Sequence, residues 1–165
     1  MTTALAPHDA PEKHYPVLYE FRGQFTGIVA IGPVADGFRL NGHFAGKLTK
    51  GDLSGAELVG VDYFRIREDG VGVVTAHEVV TLEDKVVAVE LHGFLEPPAG
   101  MPAPRPADIV KPGFQWPTAP YTIHVAATFE TAHPELANLN HTVVAHTGTV
   151  NFTDGTLFVE ARQIV

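Results

Sequence analysis

Glu78 is the residue whose type and position first indicate chemistry in this sequence. It lies in segment 72–82, where small and β-branched residues alternate, and it falls on the apolar face of that segment. A carboxyl group among apolar side chains loses hydration, which raises its pKa and lets it act as a general acid or base near neutral pH. Two other arrangements stay open: an ion pair with Arg65 or Arg39, or a strand whose faces are shifted by one residue.

Asp62 and Tyr63 form a second candidate for proton transfer. They follow a glycine and a valine and precede a short segment that contains Arg65. In a strand one of two adjacent residues faces inward, where an acid or a phenol could exchange a proton with a substrate hydroxyl, as retro-aldol cleavage or isomerisation requires. Arg65 could hold a substrate carboxylate or phenolate. The alternatives are a turn-closing role for Asp62 and core packing for Tyr63.

Nine histidines raise the question of a metal site. Glu90 and His92 lie two apart, but the sequence contains neither a His-x-His pair nor a His-Glu-x-x-His motif, so we predict no metal. His92 and His124 are instead predicted to bind substrate inside a pocket by hydrogen bonding or proton transfer. Asn140 could orient a substrate carbonyl or cap the turn into the next strand.

Several function classes are disfavoured by composition. The 165 residues include no cysteine and a single serine, Ser54, which has no nucleophile-elbow context. Phosphate-binding and dinucleotide-binding glycine motifs are also missing, so we expect no cofactor. A net charge of −8 opposes binding to nucleic acid or anionic lipid. No apolar run reaches the length of about 18 residues that a membrane span needs, and the N-terminus does not resemble a signal peptide, so we expect a cytoplasmic protein.

The elements that would position these residues are strands. Eight segments rich in Val, Ile, Phe, Tyr and Thr are separated by turn signals such as Asp36-Gly37, Asp69-Gly70 and Asp154-Gly155. Only Pro134–Leu139 favours a helix, of about one turn. We therefore predict an all-β fold, a small closed antiparallel β-barrel of about seven or eight strands that can hold one small ligand. The segments are 18–31, 37–48, 52–66, 71–82, 85–95, 120–130, 141–151 and 156–164.

Two segments lie outside this strand pattern. Residues 1–16 are predicted to be a flexible N-terminal arm, which leaves 17–165 as a single barrel domain. Residues 96–120 form a long proline-rich loop that carries Trp116, the only tryptophan. We predict that this loop is a lid over one mouth of the barrel, with Trp116 in contact with the substrate; the alternative is a surface loop packed by its own aromatic residues.

The order of several short motifs resembles the bacterial domain-of-unknown-function family numbered 3237. The resemblance covers roughly residues 20–94 and 121–164. Tyr63 stands where the family usually has a tryptophan, and the proline-rich segment is longer than the family pattern. The motifs are Gly42–Gly46, Gly60–Tyr63, Asp69-Gly70, Val71–Leu82 with Glu83-Asp84, Phe129–Thr131, Asn138–Asn140 and Gly148.

The resemblance implies a small closed β-barrel with a pocket at one end, often oligomeric, and so a homo-oligomer. Similar proteins include cofactor-independent lyases that remove formaldehyde from lignin-derived aromatic compounds. The leading hypothesis is therefore a lyase or isomerase without metal or cofactor, acting on a small hydrophobic molecule through Glu78, Asp62 and Tyr63. Two alternatives stay open: a barrel that carries a hydrophobic ligand unchanged, and a structural barrel that binds a protein partner.

Overall fold

The structure is a computed structural model, which describes residues 15–164. The predicted arm at residues 1–16 therefore lies almost wholly outside the described residues. This described part of the chain contains nine strands: β1 Val17–Val34, β2 Gly37–Thr49, β3 Glu57–Asp62, β4 Arg65–Ile66, β5 Gly72–Leu82, β6 Lys85–Glu96, β7 Tyr121–Glu130, β8 Val143–Val150 and β9 Thr156–Gln163.

The strands close into a barrel, as predicted. Each strand pairs antiparallel with its neighbours in the order β1-β9-β8-β7-β6-β5-β3-β2, and β2 returns to β1. The short strand β4 continues β3 in the same register between β2 and β5, so the ring has eight positions. Closure gives every position two neighbours and removes the open edges that invite aggregation.

Alternation along the strands divides the barrel into an apolar interior and an outer face. In β5 the buried positions include Val74, Ala76, Glu78 and Val80, while His77 and Val79 are exposed. The same alternation holds in β7, whose odd-numbered positions are buried. Glu78 therefore points inward, as the sequence pattern predicted.

Inward-facing glycines let the sheet curl tightly. Gly23 of β1 lies opposite Gly46 of β2, and a Cβ on Gly46 would come within 2.2 Å of the Arg22 carbonyl oxygen. No side chain fits there, so glycine allows the two backbones to approach at this bend.

The helices are short and lie in the connections between strands. Helix α1 spans Pro106–Ile109 in the proline-rich segment, and a 3-10 helix spans Pro134–His141 between β7 and β8, where one helical turn was predicted. The 3-10 helix buries Leu136 and Leu139. In the part of the chain that the structure describes, no helix is both long and apolar enough to cross a bilayer.

Candidate functional site

A cavity of about 60 Å³ lies inside the barrel and is walled chiefly by apolar side chains. Aromatic rings from several strands contribute much of this wall. Three ionisable side chains also line it: Glu78, Asp62 and His146. The aromatic members of the lining are Phe21, Phe25, Phe44, Phe64 and Phe152.

Glu78 is a buried carboxyl group that has no ion-pair partner among the residues that the structure describes. Its side chain is on the inner face of β5, the residue is 7% exposed, and Oε2 is buried with no hydrogen-bond partner among residues 15–164. Loss of hydration, together with a smaller contribution from the nearby negative charge of Asp62, raises the pKa of Glu78 to about 8. The predicted alternative, an ion pair with an arginine, is wrong, because Arg65 pairs with Asp36 and Arg39 lies over the Tyr63 ring.

Asp62 lies at the point where β3 breaks. Tyr63 N–H donates a hydrogen bond to the Thr75 carbonyl, as in a regular strand pair. Thr75 N–H, however, donates to Asp62 Oδ1 at 3.1 Å. The Asp62 side chain thus accepts a hydrogen bond that a backbone carbonyl accepts in a regular antiparallel pair. Burial raises the pKa of Asp62 to about 7, although this hydrogen bond opposes the shift. A turn-closing role is therefore wrong for Asp62: its partner is on the neighbouring strand.

Gly60 makes room for the acidic pair. It lies opposite Glu78 on β5 and opposite Phe44 on β2, two residues before Asp62 on the same face. A Cβ on Gly60 would come 2.5 Å from Phe44 Cζ and 3.0 Å from Glu78 Cγ. Glu78 and Asp62 are thus diagonal neighbours across β3 and β5, at a spacing that side chains can bridge.

Tyr19 and His146 form a second polar group in the interior. The Tyr19 hydroxyl is 2.8 Å from His146 Nε2, and the two residues are 0% and 3% exposed. Burial lowers the pKa of His146 to about 4, and it raises the pKa of Tyr19 well above its usual value, with a further contribution from the Glu78 charge. Both side chains are therefore neutral at neutral pH.

One end of the cavity is covered by aromatic side chains. Trp116, from the proline-rich segment, stacks on the cavity-lining Phe152 with ring centroids 4.7 Å apart, and both contact Tyr121 edge to face. Asn151 and Thr153, beside Phe152, hydrogen-bond to the Thr118 and Pro117 carbonyls. Trp116 therefore covers the cavity through Phe152 and is not itself part of the lining.

Tyr63 and Arg65 are on the outer face of the barrel, contrary to the prediction that they act inside it. Tyr63 is 37% exposed and packs edge to face against His77. Strand parity is the physical reason: Asp62 and Phe64 point inward, so the residues next to them must point outward. The prediction that one member of the Asp62-Tyr63 pair faces inward is confirmed, and that member is Asp62.

His92, His124 and Asn140 also lie outside the cavity. His92 and His124 are exposed and follow the inward-facing Leu91 and Ile123, and His124 Nε2 is 3.0 Å from a Glu96 carboxylate oxygen. Their predicted positions in a pocket are therefore wrong. The exposed Asn140 side chain bonds both the N–H and the carbonyl of Thr131, which fastens the 3-10 helix to the end of β7.

His146 and Tyr19 are the interior polar residues that sequence reasoning missed. The signal was present in β8, where Val144, His146 and Val150 are buried at even-numbered positions. Among residues 15–164 no group of three or more His, Asp or Glu side chains has an arrangement that could hold a metal ion.

The closed ring of eight strand positions defines the class of this protein as a small antiparallel β-barrel, with an acidic pair in its apolar cavity. The model of the family described as "Protein of unknown function (DUF3237)" matches residues 17–163, and the chain belongs to that family. This confirms the resemblance seen in the sequence. No curated protein matches the chain.

Solved structures with the same fold include proteins from three bacteria. A conserved protein of unknown function from Rhodopseudomonas palustris has a TM-score of 0.71 at 17% identity, covering 94% of this chain and 100% of that one. A beta-barrel-like protein from Acinetobacter baumannii has a TM-score of 0.70 at 17% identity, covering 94% and 98%. A protein of unknown function from Clostridium acetobutylicum has a TM-score of 0.72 at 18% identity, covering 93% and 100%. At these identities the likeness establishes the fold alone.

Proposed function

We propose that this protein is a lyase or isomerase that works without metal or cofactor, by acid and base chemistry on a small hydrophobic substrate inside the barrel. The observation that carries the proposal is the Glu78 carboxyl group, which is buried in the cavity wall with Asp62 as its diagonal neighbour and whose Oε2 has no hydrogen-bond partner within residues 15–164. A buried carboxyl group without a partner is costly for a fold, and such groups cluster at sites that move protons.

The two carboxyl groups have different roles in proton transfer. With pKa values of about 7 and about 8, Asp62 is mostly ionised and Glu78 mostly protonated between these pH values. Asp62 is then the base and Glu78 the acid, two roles set by two environments. The wild-type rate should be highest in this interval.

Both reaction types need only these two proton transfers. In the lyase reaction the Asp62 carboxylate accepts the proton of a hydroxymethyl O–H, the adjacent C–C bond breaks to release formaldehyde, and its electron pair moves onto a conjugated carbonyl or ring. Glu78 then protonates the carbon. In the isomerase reaction a proton leaves one carbon and returns to another. Neither reaction changes the overall redox state.

The lining supports a hydrophobic, aromatic substrate. Phe44 and Phe64 flank the acidic pair, and flat rings pack well against such aromatic walls. A lignin-derived aromatic compound, which the family resemblance implied, fits this chemistry. The proposal also retains a cytoplasmic location and a homo-oligomeric state.

A carrier of hydrophobic ligands is the second candidate, and the predominantly apolar lining favours it. In that case Glu78 and Asp62 would only orient a ligand. The two candidates differ in one measurable property, because a carrier returns its ligand unchanged.

The test is a turnover assay by mass spectrometry with chelator-treated protein and a panel of lignin-type aromatic alcohols, cyclic ketones and hydroxy acids. The variant is Glu78→Gln, and the matched control is Glu90→Gln, the same change at an exposed position of the neighbouring strand β6. We expect product from the wild type and the control and none from Glu78→Gln. Retention of compounds with no product from the wild type would support the carrier instead.

A further inference from the structure

His146 lies on the wall of the cavity opposite Asp62. In the ring of eight positions, β8 is four steps from β3 in either direction, and both side chains line the same cavity. A molecule held between them therefore contacts the acidic pair on one side and the imidazole on the other.

The hydrogen bond to Tyr19 determines which nitrogen of His146 carries the proton. The Tyr19 hydroxyl is fully buried, and His146 Nε2 is its hydrogen-bond partner in the described part of the chain. A buried phenol hydrogen needs an acceptor, so Tyr19 donates and Nε2 accepts through its lone pair. In a neutral imidazole the proton is then on Nδ1, which makes Nδ1–H a donor.

We propose that His146 is a further catalytic residue, which donates a hydrogen bond from Nδ1 to an oxygen of the substrate, and that Tyr19 is its positioning residue. The substrate class is thereby narrowed to small hydrophobic compounds that carry a carbonyl or equivalent conjugated oxygen. This inference rests on the proposed function, since the carboxyl groups supply the proton transfer.

The role follows from where charge develops in the reaction. When a proton or formaldehyde leaves, the electron pair moves onto the conjugated oxygen, and a fixed donor aimed at that oxygen stabilises the charge. A neutral imidazole suits this task, because it polarises the oxygen without placing a full charge in an apolar cavity. No proton needs to leave His146 during the step.

The experiment measures the infrared carbonyl band of ¹³C-labelled cyclopentanone bound to the protein, which requires no turnover. We expect the band to lie at lower frequency in the wild type than in His146→Leu. His146→Asn, whose amide N–H stands near the position of Nδ1, should keep most of the shift. Tyr19→Phe should reduce the frequency shift of the carbonyl band, because the imidazole of His146 then lacks the hydrogen bond that fixes its tautomer.

Nitrogen-15 NMR of the histidine ring in the wild type tests the tautomer without any substitution. Protonation at Nδ1 is expected, and protonation at Nε2 would overturn the inference. The absence of a shifted band in the wild type at saturating ketone, or an equal shift in His146→Leu, would also overturn it. A wild type that shifts the band but turns over no substrate would refute the proposed function and with it the catalytic role of His146, while its hydrogen bond to the ligand would stand.

Discussion

Replacing Glu78 by glutamine should change how the stability of the protein depends on pH. The folded protein raises the pKa of Glu78 from 4.5 to about 8, so between these values it holds a proton that the unfolded chain has lost. The stabilisation from this proton is fully present below about pH 4.5 and is lost as the pH rises towards 8. At about 1.4 kcal/mol per pH unit, the whole interval corresponds to roughly 5 kcal/mol.

Glutamine does not titrate, so the variant should lack this loss. We expect the difference in free energy of unfolding, Glu78→Gln minus wild type, to increase by about 4 kcal/mol from pH 5 to pH 9. Contributions from other groups, such as the raised pKa of Asp62 and the lowered pKa of His146, are present in both proteins and largely cancel in the difference. The cost of burying the glutamine amide is the same at pH 5 and at pH 9, so it does not contribute to the change between these two pH values.

The assay is urea unfolding at a series of pH values, followed by the fluorescence of Trp116, which stacks on Phe152 in the folded state. The control is Glu90→Gln, the same change at an exposed position of β6, which should alter the free energy of unfolding only slightly. Parallel stability curves for Glu78→Gln and the wild type would refute the reasoning, since they would mean that Glu78 has the same pKa in the folded and unfolded chains.

Other substitutions test the remaining parts of the site. Gly60→Ala places a methyl group against Phe44 and should lower the free energy of unfolding by about 1–3 kcal/mol, measured in urea, and reduce turnover. Asp62→Asn keeps an oxygen for the backbone hydrogen bond, so its melting temperature should stay close to that of the wild type while turnover is lost. Trp116→Ala should speed ligand dissociation, measured by stopped flow, and cost about 1 kcal/mol of stability from the lost stacking. Arg65→Ala should leave ligand affinity unchanged in a calorimetric titration, because this residue is on the outer face.

Each of these substitutions has an outcome that would contradict the role assigned to its residue. Gly27→Ala is the control for Gly60→Ala, because a Cβ on Gly27 has no atom of the described residues within 4 Å; equal effects of the two would exclude a specific steric conflict at Gly60. Full turnover by Asp62→Asn would remove Asp62 from the reaction. Unaltered ligand exchange in Trp116→Ala would show that the tryptophan does not control access, and weakened binding in Arg65→Ala would place the ligand elsewhere.

Much of the fold was predictable, because strands and turns leave local signals. The predicted segment 85–95 is β6 Lys85–Glu96, and the predicted segment 37–48 is β2 Gly37–Thr49. The predicted segment 52–66 is wrong in detail: its first residues form turns, with positive φ at Gly55, and its strand breaks after Asp62. That break depends on a hydrogen bond to the neighbouring strand, which no local pattern encodes.

The orientation of a candidate site residue could be predicted only where the pattern of its own strand showed which side chains face inward. Glu78 lies among alternating apolar residues, so its orientation could be inferred from residues 72–82 alone. Arg65 and His124 were assigned to the pocket from residue type, although the burial of adjacent residues places both outside. The pairing of Tyr19 with His146 joins residues 127 positions apart, so it required the closed barrel.

The most direct test of the account is a titration of Glu78 itself. Carbon-13 NMR of protein labelled at the glutamate side-chain carboxyl carbons would identify Glu78 as the resonance that is missing in Glu78→Gln. We expect this resonance to titrate with a midpoint near pH 8 and to shift when ligand binds. A midpoint near the ordinary value of 4.5 would mean that Glu78 is ionised and solvated at neutral pH, which contradicts its role as the acid in the cavity.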